Sequence, residues 1–343
     1  MGRPAGVGEA VDGWLAENIP GATAPFEYTM IAGGHSNLTY GVRDGAGNTF
    51  VLRRPPLGHR LTGAHDMSRE HRLIAALGPT EVPVPRALGL CEDPAVDELP
   101  FYVMEWVEGH VIRDAVGAET HLTPEGRTRA SRSLIETLAA LHRVDPDAVG
   151  LGDLGRREEY IARQLRRWYG NFNAQRTREI PLVDRVHEAL AARIPAQATA
   201  TIVHGDYRLD NTMVDDDGNV VAVLDWEICT LGDPLADLGL LMVYWNGPGD
   251  TVSPWPNPTS TLEGFVRRDD LVALYGEASG RDVSGIDYYF AFGCWKLACI
   301  IEGVYARYLG GALGARDPAE LAPFPAQVDA AARHAADLLG LAA

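Results

Sequence analysis

The apolar pattern changes period once along these 343 residues, and that change limits the fold more than any other feature. Residues 27 to 32 and 38 to 43 alternate as half-buried strands do, with Gly33-Gly34-His35-Ser36-Asn37 between them, and Asp44-Gly45-Ala46-Gly47-Asn48 turns the chain into Thr49 to Arg53. The pattern predicts an antiparallel meander. Leu73, Ile74 and Leu77 mark a helix from about Ala64, closed by Gly78, which can adopt the left-handed cap, and by Pro79. Pro100 to Val107 reads as a buried strand that ends at Glu108-Gly109. From there the spacing turns helical, over 125 to 142, 157 to 169, 182 to 193, 235 to 245, 261 to 278 and 286 to 309. Short β-like runs interrupt it at Thr201 to Val203, Thr212 to Val214 and Val220 to Leu224, the last two joined by Asp216-Asp217-Gly218-Asn219. A sheet, then helices, with one embedded hairpin, is an α+β plan in two lobes, 1 to 107 and 108 to 343.

Length agrees, since a chain of this size exceeds what one hydrophobic core usually supports. No run approaches the roughly 18 apolar residues of a membrane span. The start lacks a signal-peptide core and leads into Trp14, Leu15 and Ile19, spaced as an amphipathic helix, so a soluble, cytoplasmic chain is expected. A formal charge of −17 would repel a phosphate backbone, which excludes nucleic acid as the expected partner. Cys91, Cys229, Cys294 and Cys299 are too scattered for a zinc site and read as buried thiols. Lys296 is the one lysine among 30 basic residues, and it stands on an apolar helix, where its ammonium must find a partner, a cleft or, most simply, the surface. The Pro-rich stretch Pro248 to Pro258 reads as a long loop available for substrate contact.

The chemistry concentrates in His204-Gly205-Asp206-Tyr207-Arg208-Leu209-Asp210-Asn211. Phosphoryl transfer needs an acceptor hydroxyl aimed in line, metal ions bridging the phosphates and fixed positive charge. Asp206 and Asn211 stand at the spacing of the base and the metal-binding Asn in the kinase loop His-Arg-Asp-x-x-x-x-Asn, with Gly205 in place of that Arg. Asp225 follows a five-residue apolar run, where a kinase places a second metal ligand. The structural alternatives are a turn cap for Asp206, an Asx turn for Asn211 and a strand-end acceptor for Asp225.

On these residues the chain resembles the aminoglycoside phosphotransferase and choline kinase family, over roughly residues 25 to 310. Gly33 to Tyr40 and Phe50 to Pro56 look most like the subgroup also found fused to acyl-CoA dehydrogenases. The resemblance implies a bilobal protein-kinase-like fold, an N-terminal nucleotide-binding sheet, a larger helical lobe, and transfer of the ATP γ-phosphate to a hydroxyl of a small molecule, with Mg2+. It implies Asp206 as catalytic base, His204 orienting the loop, Arg208 among the catalytic residues, and Asn211 and Asp225 as metal ligands. Gly34, Ser36 and Asn37 would lie over the phosphates. Arg53, with Arg54 as competitor, would reach them, paired with Glu70 unless that is a solvated helix charge. Met104, Glu105 and Val107 would form the adenine-binding hinge, a plain buried strand being the alternative. Asp237 would brace the catalytic loop as in family members, Glu227 is a candidate to support the metal, and Asp233-Pro234 fits a helix N-cap. The acceptor class and the oligomeric state stay open, with hydroxylated acyl groups favoured by the subgroup. A kinase-like module without turnover is the competing reading, on account of arginine at 53.

Overall fold

A computed structural model describes residues 7–31, 37–56, 66–247, 259–311 and 316–341. The chain divides into two compact units: Met1–Gly109 with Val149–Leu151 and Val221–Glu227, and His110–Ala148 with Gly152–Val220 and Ile228–Ala343.

The first unit holds α1 (Glu9–Asn18), β1 (Glu27–Met30), β2 (Leu38–Arg43), β3 (Thr49–Arg54), α2 (Met67–Leu77), β4 (Ala87–Cys91) and β5 (Phe101–Glu105). The strands form one antiparallel sheet in the order β1-β2-β3-β5-β4. The expected meander is therefore present. Val11 and Leu15 of α1 share a core with Tyr40 and Val42 of β2, Phe50 and Leu52 of β3, and Phe101 and Val103 of β5. The turn after β2 is closed by Asp44, which accepts the amides of Ala46 at 3.0 Å and Asn48 at 2.7 Å. The helix expected from Ala64 begins at Met67, because Asp66 caps it by accepting the Arg69 amide at 3.0 Å. Its end differs too. Gly78 has φ −51, a right-handed conformation, so the helix closes without the left-handed cap. β4 has an irregular register against β5 and escaped the alternation test.

The second unit contains α3 (Ala115–His121), α4 (Pro124–Arg143), α5 (Tyr160–Gln175), α6 (Pro181–Ala191), β6 (Thr201–Val203) and β7 (Thr212–Val214). β8 (Val220–Val223) follows, then β9 (Thr230–Gly232), α7 (Pro234–Tyr244), α8 (Arg268–Ser279), α9 (Ile286–Leu309), α10 (Pro318–Leu321) and α11 (Phe324–Leu338). Several corrections to the sequence reading arise here, the short helices α3 and α10, unread in the sequence, among them. α5 starts later and runs further than 157 to 169. α8 starts at Arg268 instead of 261, since Gly264 takes φ +99 and its Cα faces the Pro124 backbone, where a Cβ would lie 2.2 Å from the carbonyl oxygen. β9, unread in the sequence, pairs antiparallel with β6. α11 was missed because its buried positions, Val328, Ala331, Ala332, Ala335 and Ala336, are helix-spaced but mostly alanine. α7 and α9 pack backbone to backbone through glycine: a Cβ on Gly239 would lie 2.5 Å from Tyr289, and one on Gly293 would lie 2.8 Å from Val243. All four cysteines are free and buried, as expected. Among the described residues no helix is long and apolar enough to cross a membrane.

Candidate active site

In the first unit, Arg53 sits on β3 directly opposite Tyr102 of β5. Its Nε donates to Glu70 Oε2 at 2.9 Å and its Nη2 to Asp225 Oδ1 at 2.7 Å. Glu70 is buried on α2 and also accepts Asn37 Nδ2 at 3.1 Å and the Tyr102 hydroxyl at 3.0 Å. Burial and the neighbouring Glu70 charge push the Tyr102 phenol well above its ordinary pKa, which keeps it a donor. For Arg53 burial acts to lower the pKa, but Glu70, Tyr102 and Asp225 outweigh it and raise the value. The guanidinium stays charged. Arg54 has a separate partner, Asp97, at 2.7 and 3.1 Å, so the pairing with Glu70 falls to Arg53. Glu70 is consequently no solvated helix charge.

Asp225 has φ +63, the left-handed region that a non-glycine residue enters at a cost, and this turns the chain sharply after β8. Carboxylate oxygens of Glu70, Asp225 and Glu227 lie within 4.8 Å of one another, a hard-oxygen set of the kind that suits Mg2+. Met104 is buried in β5, Glu105 ends that strand, and Val107 follows half-buried. Asn37 spends its side-chain amide on Glu70. Gly34, Ser36 and the stretch Pro248 to Pro258 lie outside the described residues.

In the second unit the catalytic-loop candidate leaves β6 at Val203. Gly205 takes φ +83, and a Cβ there would come within 3.2 Å of Ile228, which explains glycine where kinases carry arginine. The loop is anchored from α7: Asp237 accepts the His204 amide at 2.6 Å and the Gly205 amide at 2.8 Å. Burial would raise the Asp237 pKa, but His142, His204 and the Gly205 amide together hold it below the usual range. Behind it, His142 Nε2 lies 3.3 Å from Asp237 Oδ2 and His142 Nδ1 lies 2.7 Å from the Tyr275 hydroxyl. Asp233 accepts the Leu235 amide at 3.1 Å ahead of Pro234, so the N-cap reading holds.

The Asp206 side chain is 29% exposed, much as that of Asp210 is at 28%, so it can meet a ligand. Its amide donates to His204 Nδ1 at 3.3 Å, and Asn211 Nδ2 donates to its Oδ2 at 2.9 Å and to its carbonyl at 2.8 Å. Arg208 Nε lies 3.4 Å from Asp206 Oδ2, and its Nη1 lies 3.1 Å from Asp210 Oδ2. Asp206, His204, Arg208 and Asn211 thus meet in one loop. The surface expected for Lys296 is overturned: it is 8% exposed, with its Nζ 3.2 Å from the Gly205 carbonyl oxygen. Tyr102, His142 and Tyr275 went unread as site residues, because each meets its partner from more than 30 positions away in sequence and no local spacing marks it.

Residues 27–278 match the model of the phosphotransferase enzyme family. The chain belongs to this family. Its kinase-like α+β fold follows from that membership. A Ralstonia eutropha protein assigned by name to the aminoglycoside phosphotransferases has 31% identity and a TM-score of 0.81, covering 96% of this chain and 98% of the other. Mouse acyl-CoA dehydrogenase family member 10 is 35% identical over 294 residues, which bears out the resemblance to the fused subgroup. The match covers 84% of this chain but only 27% of that relative's length. A thermostable mutant of an aminoglycoside phosphotransferase, solved with AMP-PNP and hygromycin B, shares the fold at TM-score 0.59 and 16% identity, over 95% of this chain and 99% of its own.

Proposed function

We propose that the protein is an ATP-dependent O-phosphotransferase acting on a hydroxyl of a small molecule, with Asp206 as the base. The observation that carries this is the grip of Asn211 on Asp206, 2.9 Å from Nδ2 to Oδ2, which fixes the aim of a half-exposed carboxylate in the loop. In the reaction the acceptor oxygen attacks the γ-phosphorus, its proton passes to Asp206, and the bond to the ADP oxygen breaks. Asp225 would hold magnesium, which when bound would supply charge neutralisation on the phosphates, and Asn211 is the further candidate ligand that the kinase-loop spacing gives. The carboxylates of Glu70 and Glu227 beside Asp225 support its part of that assignment. Arg53, fixed by Glu70, provides positive charge for the phosphates, with Ser36 and the amides from Gly34 to Asn37 as further donors. Met104, Glu105 and Val107 would receive the adenine, as the resemblance of residues 102 to 109 to a kinase hinge implies.

Hydroxylated acyl compounds head the acceptor list, because the mouse relative's name joins this family to acyl-CoA dehydrogenases. Screening such compounds, choline-like alcohols and aminoglycosides for acceptor-dependent ADP release tests the reading. ADP release that no acceptor accelerates would sink it. The competing reading, a nucleotide-binding module without turnover, draws on the 2.7 Å contact that commits Arg53 to Asp225. Mg-ATP binding with no ADP formed under any condition would favour it.

A further inference from the structure

We infer that Lys296 is a positioning residue for phosphoryl transfer: its ammonium fixes the peptide joining Gly205 to Asp206 and thereby the placement of the Asp206 carboxylate. The inference rests on the reading of Asp206 as base. Lys296 lies beyond residue 278, where the family match ends, on the helix α9. It is the one lysine of a chain that otherwise uses arginine for every basic side chain, and it is buried between Trp295 and Leu297.

A buried ammonium is costly unless compensated, so its surroundings say what it is for. Among the described residues its one hydrogen bond goes to the Gly205 carbonyl oxygen, at 3.2 Å. The Trp168 ring of α5 lies 5.5 Å from Nζ, within cation–π range. Burial pulls the Lys296 pKa below its ordinary value, with Asp206 and Asp237 drawing it back and Arg167 adding to the fall. The groups that face the ammonium are thus the catalytic loop, the Asp237 that braces it and the Trp168 ring.

The mechanical consequence follows from Gly205. At φ +83, with no Cβ, it is the softest link in the loop, and it is held from two helices: Asp237 of α7 takes its N–H at 2.8 Å, and Lys296 of α9 takes its C=O. The Gly205 carbonyl and the Asp206 amide share one rigid peptide plane. That plane is pinned at its oxygen by Lys296 and at its nitrogen by His204 Nδ1, 3.3 Å away. Releasing the oxygen lets the plane rotate and carries Asp206 with it. A compact ammonium suits this contact where a planar guanidinium would need more room.

The test compares Lys296→Met, Lys296→Ala and Asp206→Asn with the wild-type protein. ADP release from Mg-ATP is measured with water and with the acceptor from the screen, alongside nucleotide affinity by calorimetry and melting temperature. Lys296→Met is expected to lower kcat about 10- to 100-fold, the scale of a misplaced catalytic group, with KM for ATP and acceptor changed less than about threefold. Ethylammonium should restore part of kcat to Lys296→Ala in a saturable manner, and this arm decides the matter if Lys296→Met does not fold. Wild-type kcat in folded Lys296→Met, or ethylammonium that raises the melting temperature of Lys296→Ala but not its kcat, overturns the inference. Full activity in Asp206→Asn, or no ADP release from the wild type, overturns the base reading and this inference with it. Loss in Asp206→Asn with none in Lys296→Met overturns the Lys296 role alone.

Discussion

Asn211 reaches Asp206 twice, its Nδ2 lying 2.9 Å from the Asp206 carboxylate and 2.8 Å from the Asp206 carbonyl oxygen. One side-chain amide thus fixes both the backbone and the acid group of the proposed base. Asp206→Asn removes the proton acceptor while keeping the shape. Turnover should fall by about 10² to 10⁴-fold with nucleotide affinity little changed, read by ADP release and calorimetry.

Asp237 is buried and accepts two loop amides, of His204 and Gly205. Asp237→Asn puts a donor where an acceptor is required and leaves a buried N–H unpaired. The expected cost is about 1 to 3 kcal/mol in urea unfolding, with a fall in kcat exceeding any rise in KM for ATP. Wild-type stability would show that the loop holds without this brace.

Gly205→Ala forces a side chain into the left-handed region and against Ile228, at 3.2 Å. A loss of about 1 to 2 kcal/mol follows from backbone strain alone. Chemical denaturation of the variant measures it, and an unchanged midpoint would contradict the left-handed geometry.

Arg53→Met strands Glu70, whose side chain is 3% exposed, without its cation. Breaking such a pair typically costs about 3 to 5 kcal/mol. Adding Glu70→Gln should recover part of that loss, because the uncompensated charge disappears. A double variant as unstable as the single one would mean that the two groups are not coupled.

His142 offers a pH signature. Burial lowers its pKa, with Asp237 pulling the other way, so the folded protein binds this proton less readily than the unfolded chain does. The unfolded state then carries more protons below its own histidine pKa of about 6.5, and stability contributed by neutral His142 is full above that value and lost as pH falls toward the folded pKa. The difference in melting temperature between the wild type and His142→Asn should narrow as pH is lowered from about 7 to 5. A constant difference would remove His142 from the acid response.

The chain's linear order determined the antiparallel sheet, the Asp44 turn, most of the helices and the segment His204 to Asn211, because each depends on neighbours a few residues apart. Period-two alternation, glycine turns and a five-residue loop spacing are local, and the chain keeps them wherever it folds. Tertiary structure alone decided that Arg53 and not Arg54 meets Glu70, that Tyr102 and Asn37 share that carboxylate, and that His142 and Tyr275 back the Asp237 brace. It also turned Lys296 inward onto Gly205, against the simpler expectation of the surface. The physical reason is common to all of these. A buried charge must be matched by whatever partner the packing delivers, and those partners are separated in sequence by distances that no periodicity records.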